Sequence, residues 1–115
     1  MSGENATRQL EFEEFLYRIQ PTRPEMLRSG PTPEKAAAAQ AHMDYLKNLA
    51  AEGTVIVAGR TLNNDETTFG IVLFRAVSED AAREIMNDDP AVIRGVFRAV
   101  LFPFAVAFIG SGRQQ

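Results

Sequence analysis

His42 is the only histidine in a chain that contains no cysteine, so few side chains are able to move protons near neutral pH. Imidazole ordinarily titrates near ~6.5, which makes His42 the natural candidate for a general acid or base. Tyr45, Leu46 and Leu49 follow it at three, four and seven residues, so the ring sits on the apolar side of a helix that packs on a sheet. In that position it is either a hydrogen-bonded core residue or one wall of a pocket. A histidine acting as a base needs a carboxylate or carbonyl to fix its tautomer and steady the imidazolium. Asp44 is badly placed for this, because residues two apart point to different sides of a helix. The other source is the acidic stretch Asp88 and Asp89, ahead of Pro90, at the far end of a second helix. Asp89 also reads as an Asx-type cap of the following AVIRG turn, and the two roles are compatible.

Other chemistries find no support. One histidine without cysteine does not make an ordinary zinc site, and HExxH, Gly-rich phosphate loops and GxSxG are all missing from the sequence. The cluster Asn63, Asn64, Asp65, Glu66 lacks the alternating oxygen ligands of a calcium loop and reads as a turn. With 45% hydrophobic and 23% charged residues and a net charge of -3, the composition is that of a globular protein without the basic footprint that nucleic acid requires. The opening residues are polar, unlike a signal peptide, and the longest apolar run, Val96 to Ile109, is broken by Pro103 before it reaches the length of a membrane span. The expected location is the cytoplasm, where a cysteine-free chain is at home.

The elements that must position His42 follow from local signals. At 115 residues the chain suits one domain, expected over residues 10–110 between a polar leader (1–9) and a tail (111–115). Glu11 to Ile19 alternates as a first strand, with Phe15, Tyr17 and Ile19 on one face. Pro21 to Pro33 carries four of the six prolines, so it is expected to run as a loop, and with Arg23, Met26, Leu27 and Arg28 it is a candidate lid. Thr32 as N-cap, Pro33 in the first turn and Gly53 as terminator define the His42 helix. Thr54 to Ala58 is wholly apolar and is expected to be a strand buried on both faces. Phe69 to Arg75 pairs with it as a hairpin. Ser78 caps the second helix, and Val96 to Ile109 is a last strand region interrupted at Pro103, as expected for a bend or an edge strand.

The order β-α-β-β-α-β is that of an α+β ferredoxin-like fold, an antiparallel sheet with two helices on one face. Both faces of the third strand are apolar, yet two helices cover only one side. The economical solution is a homodimer with sheet packed on sheet.

His42 with Tyr45-Leu46, then Glu52-Gly53, Ala58-Gly59, Asp89-Pro90, Gly95-Val96 with Phe97, and Pro103-Phe104 together resemble the YciI-like (YCII-related) family from Glu11 onward. Arg23-Pro24 and Met26-Leu27 match a loop of its longer members. The resemblance implies a dimeric α+β barrel carrying a histidine and an aspartate in an active-site pocket, which by position are His42 and Asp89. Many members have proline after the Ala-Gly of the second strand. Arg60 stands there in this chain, and its charge favours an anionic ligand at the pocket mouth. Tyr17, Arg23, Met26, Gly59 and Arg60 are thus the expected substrate-binding residues.

Two functions follow from different classes. The first is a lyase, isomerase or dehydrochlorinase-like enzyme that works on a small molecule without cofactor or metal, with His42 and Asp89 as its acid-base pair at the dimer interface. The second is a non-catalytic barrel that binds a small molecule; a cofactor-free monooxygenase of the same architecture is a third.

Overall fold

The computed structural model describes residues 12–23, 30 and 32–110. The leader, the tail and most of the proline-rich loop, Met26 included, lie outside the described residues.

Strand β1 (Glu13–Pro21) alternates as its sequence dictates, burying Phe15, Tyr17 and Ile19 while the residues between them face the other way. Helix α1 (Pro33–Ala51) starts where Thr32 accepts a hydrogen bond from the Lys35 amide at 3.2 Å. It is released at Gly53, whose φ of 86° is the left-handed conformation glycine adopts without steric cost. Along it Ala38, His42 and Leu46 are buried at i, i+4 and i+8, one face of the helix.

Strands β2 (Val55–Arg60) and β3 (Gly70–Ala76) form the hairpin. In the turn between them the Asp65 carboxylate accepts from the Thr67 amide at 2.9 Å and from Asn63 Nδ2 at 2.7 Å, an Asx turn rather than a cation loop. Helix α2 (Glu79–Asn87) is capped by Ser78, which accepts from the Ala81 amide at 3.1 Å. A four-residue turn of helix, α3 (Pro90–Ile93), leads into β4 (Phe97–Phe104).

The four strands pair antiparallel in the order β2-β3-β1-β4, the ferredoxin-like arrangement. Phe15 lies opposite Phe74 and Tyr17 opposite Val72. These residues, with Leu46, Ala82 and Met86 from the helices, make the core. The Tyr17 ring meets Phe74 edge-on with centroids 5.7 Å apart.

On the other face Leu16 lies opposite Leu73 and Phe102, and Val57, Phe69, Val100, Phe102 and Phe104 are all exposed. Two helices cover one side of the sheet and leave this apolar side open.

Two expectations about strands are corrected. β2 is an edge strand, not one buried on both faces: Val55 is buried but Val57 is 51% exposed. A register shift between Val55 and Val57 adds a bulge there, a common feature of sheet edges. Pro103 does not interrupt β4, which runs unbroken from Phe97 to Phe104 in register with β1. Of the two readings of Pro103 the edge strand holds and the bend does not: β4 is the opposite edge, where a residue without an amide hydrogen is tolerated. No helix among the described residues is long and apolar enough to cross a membrane.

Among the described glycines Gly70 is the one with close neighbours, since a Cβ there would lie 3.1 Å from Ile19 Cγ1 and 3.2 Å from the Gly59 carbonyl oxygen. Gly70→Val is expected to cost about 1–3 kcal/mol through overpacking. Urea unfolding checks it by a lower midpoint at constant slope; an unmoved midpoint would contradict the packing.

Candidate active site

The fold carries Asp89 to His42. Asp89 is the N-cap of α3, and its Oδ1 accepts from the Ala91 amide at 3.0 Å. The following Pro90 favours the extended backbone (φ -62°, ψ 124°) that an N-cap needs. Its other oxygen, Oδ2, accepts two further hydrogen bonds: one from the Tyr17 hydroxyl at 2.7 Å and one from His42 Nδ1 at 2.7 Å. Asp89 is 0% exposed and His42 only 7% exposed, so this carboxylate has exchanged water for three protein donors. That is the condition under which a buried carboxylate is tolerated.

As a carboxylate Asp89 only accepts, which places the imidazole proton on Nδ1 and makes Nε2 the acceptor of the neutral ring. Among the described residues the ring's hydrogen bond is made through Nδ1 alone, and Nε2 is the nitrogen with capacity for a substrate proton. Phe97, at the start of β4, meets the ring edge-on at 5.6 Å and fixes its tilt. The arrangement is that of a base, an orienting carboxylate and a third group behind the carboxylate. It lies on the helix-covered side of the sheet, at the end where β4 begins, and thus across the sheet from the open apolar face.

The remaining candidates are distributed as follows. Tyr17 is 0% exposed and its hydroxyl is committed to Asp89, so it holds the carboxylate and offers no surface to a ligand. Its position on the buried face of β1 was readable from strand alternation, and a buried tyrosine hydroxyl requires a partner; that signal marks it as the third member of the site. Arg23 is brought to the same end of β4 as Phe97, because its neighbour Thr22 donates to the Gly95 carbonyl at 2.7 Å and, through its amide, to the Val96 carbonyl at 3.0 Å. Gly59 and Arg60 belong elsewhere. They line a depression of about 260 Å³ at the β2–β3 edge together with Val57, Phe69 and Ile71, and none of Tyr17, His42 or Asp89 contributes to it. Among the described residues no group of three or more His, Cys, Asp or Glu is arranged to hold a metal ion.

A model of the YCII-related domain matches residues 15–104. Among solved structures the chain is similar to 5-chloro-2-hydroxyhydroquinone dehydrochlorinase from Burkholderia phenoliruptrix, in complex with 2,5-dihydroxybenzoquinone, at 21% identity over 79% of this chain and 93% of that chain, with a TM-score of 0.57. Lower likenesses are to a dimeric ferredoxin-like protein from an uncultured marine organism (16% identity, 86% and 94% covered, TM-score 0.43) and to SnoaB, a cofactor-independent oxygenase from Streptomyces nogalater (12%, 90% and 99%, 0.37). At these identities the likeness is one of fold. A search of curated proteins finds no match.

The two tyrosines beside the site give its alkaline limit. Burial, reinforced by the charges of Asp88, Asp89 and Glu52, pushes the Tyr45 phenol from 10.0 up to about 12. Burial, then the charge of Asp89 and the hydrogen bond to it, raises Tyr17 further still. Both phenols are neutral in the fold, so their contribution is complete below the ordinary tyrosine value of 10.0; the Tyr45 part is lost as pH rises through about 12 and the Tyr17 part only at higher pH. Thermal unfolding across that window should show a falling midpoint, less steep in Tyr45→Phe; a flat profile would contradict the assignment.

Proposed function

The chain belongs to the YCII-related domain family, and from that premise we propose that it is a cofactor-free enzyme of small-molecule chemistry in which His42 is the acid-base catalyst and Asp89 the group that positions it. The observation that carries the reading is the 2.7 Å contact of Asp89 Oδ2 with His42 Nδ1, which dedicates Nε2 to whatever enters. The reaction class is elimination or isomerisation. A C–H or O–H bond of the substrate breaks with its proton going to Nε2, and the electron pair left behind forms the new π bond; in an isomerisation the pair of the existing π bond moves to the atom that is then reprotonated. In an elimination the leaving group departs with its own pair. The imidazolium, steadied by Asp89, then returns the proton to the leaving group, to water or to another substrate atom. The substrate class is a small molecule that is anionic or becomes so when deprotonated. Residues 10–110 are the functional unit, placed by composition in the cytoplasm, and the open apolar face is covered by a second copy. Nucleic acid and membrane play no part in this reading.

A non-catalytic binding role has one observation in its favour. Capping α3 and satisfying Tyr17 would alone justify a buried Asp89 with a histidine beside it.

The first assay follows chloride release from 5-chloro-2-hydroxyhydroquinone and related chlorinated quinols, the chemistry named for the Burkholderia neighbour. His42→Ala is expected to lower turnover by about 10²–10⁴-fold with an unchanged oligomeric state, and Asp89→Asn to lower kcat more than it raises KM. Full turnover in His42→Ala would remove His42 from the chemistry. Calorimetric binding of such ligands by a wild-type protein that turns none of them over would establish the binding role instead.

A further inference from the structure

Asp89 divides its three donors unevenly. Oδ1 takes the Ala91 amide at 3.0 Å, while Oδ2 takes both side-chain donors, the Tyr17 hydroxyl and His42 Nδ1, each at 2.7 Å. The hydroxyl is held there by the sheet: Tyr17 sits on the central strand β1 opposite Val72, with its ring edge-on to Phe74. Tyr17 and Asp89 are both fully buried. Burial, then the charge of Asp89 and the hydrogen bond to it, keep the phenol protonated far above neutrality, so it goes on donating throughout the range in which an imidazole titrates.

Two donors on one oxygen compete for its charge. An anion beside an imidazole favours the protonated ring, and the proposed reaction needs His42 both to take a proton and to give it back. A carboxylate oxygen facing the ring alone holds that proton; a second donor on the same oxygen draws off part of the charge that holds it. Tyr17 is the group so placed. Of the other titratable groups on the elements around the ring, Asp44 is exposed and accepts from Gln40, Asp88 and Arg94 are exposed at the ends of α2 and α3, and Arg98 is exposed and donates to Gln20. Tyr45 donates to the Ile85 carbonyl. Arg23 lies at the end of β4 where Phe97 meets the ring, next to the Thr22 that bonds the Gly95 and Val96 carbonyls.

We infer that Tyr17 is a positioning residue that restrains the base: by sharing Asp89 Oδ2 with His42 Nδ1 it withholds part of the carboxylate's charge from the imidazole, so that Nε2 releases its proton more readily than it would opposite Asp89 alone. The inference rests on the proposed role of His42 and adds the group that sets its strength. It also gives the phenol a task distinct from packing. The ring of Tyr17 belongs to the core, and its hydroxyl belongs to the chemistry.

His42 is the only histidine, so one imidazole resonance reports its titration by NMR, with no turnover required. Tyr17→Phe removes the hydroxyl and keeps the ring against Phe74; the His42 midpoint is expected to rise by about one unit, a roughly tenfold gain in proton affinity. Placing 3-fluorotyrosine at position 17 alone makes the phenol a stronger donor, and the midpoint is expected to fall. A role in packing alone does not produce shifts of opposite sign. A midpoint that stays at its wild-type value in either protein, or moves the same way in both, overturns the inference; where Tyr17→Phe does not fold, the sign of the shift in the fluorinated protein decides alone. The acid limb of kcat/KM for chloride release should follow the NMR midpoint in each protein. An acid limb that stays still while the midpoint moves removes His42 from the chemistry but leaves the control by Tyr17 standing, whereas a fixed midpoint in active protein refutes the control by Tyr17 and spares the proposed function.

Discussion

The structure around the site depends on one carboxylate accepting three hydrogen bonds out of water. Asp89 ties β1 through Tyr17, α1 through His42 and the first turn of α3 through the Ala91 amide. A buried carboxylate left with a missing donor is costly, on the order of several kcal/mol when its charge goes uncompensated. The three elements are therefore not free to drift independently. The same contacts that satisfy the charge set the tautomer of His42, so one group holds both the packing of three elements and the orientation of the imidazole.

The sheet supplies the frame for this arrangement. Tyr17 reaches Asp89 because β1 is a central strand, with Phe15 and Ile19 on the same buried face and Phe74 packed edge-on to the tyrosine ring. α1 presents His42 because Ala38 and Leu46, one turn to either side, seat the helix on that sheet. Tyr45 adds a second tie, donating to the Ile85 carbonyl at 2.7 Å and so linking α1 to α2. The hydrogen bonds of Tyr17, His42 and Tyr45 all join residues far apart in sequence.

Much of this was legible in the chain before any coordinates. The caps at Thr32 and Ser78, the glycine stop at 53 and the alternation in β1 and β3 all rest on contacts between near neighbours, and each appears where the residue types require it. The pairing of His42 with Asp89 spans 47 residues; no spacing rule yields it, so the acidic stretch Asp88-Asp89 is a candidate by charge alone and the family resemblance is what singles out Asp89. Tyr17 was visible as a buried tyrosine, but which acceptor it would find depended on the same long-range closure. β2 departs from its sequence expectation because TVIVA is uniformly apolar, and composition does not distinguish a strand buried between neighbours from an edge strand with one open face. Gly59 and Arg60 were grouped with the site by motif, whereas sheet order carries them to the far edge.

The commitment of Nδ1 to a buried carboxylate has a stereochemical corollary. A ring pinned on one side cannot turn over to present its other nitrogen, so a proton taken up at Nε2 leaves through Nε2 as well. Any reaction here that uses the histidine twice must therefore bring the donating and the accepting atoms of the substrate to one point in succession. Under the proposed role, removal and return then occur on a single face of the substrate, and suprafacial products are the signature that a one-door base would impose.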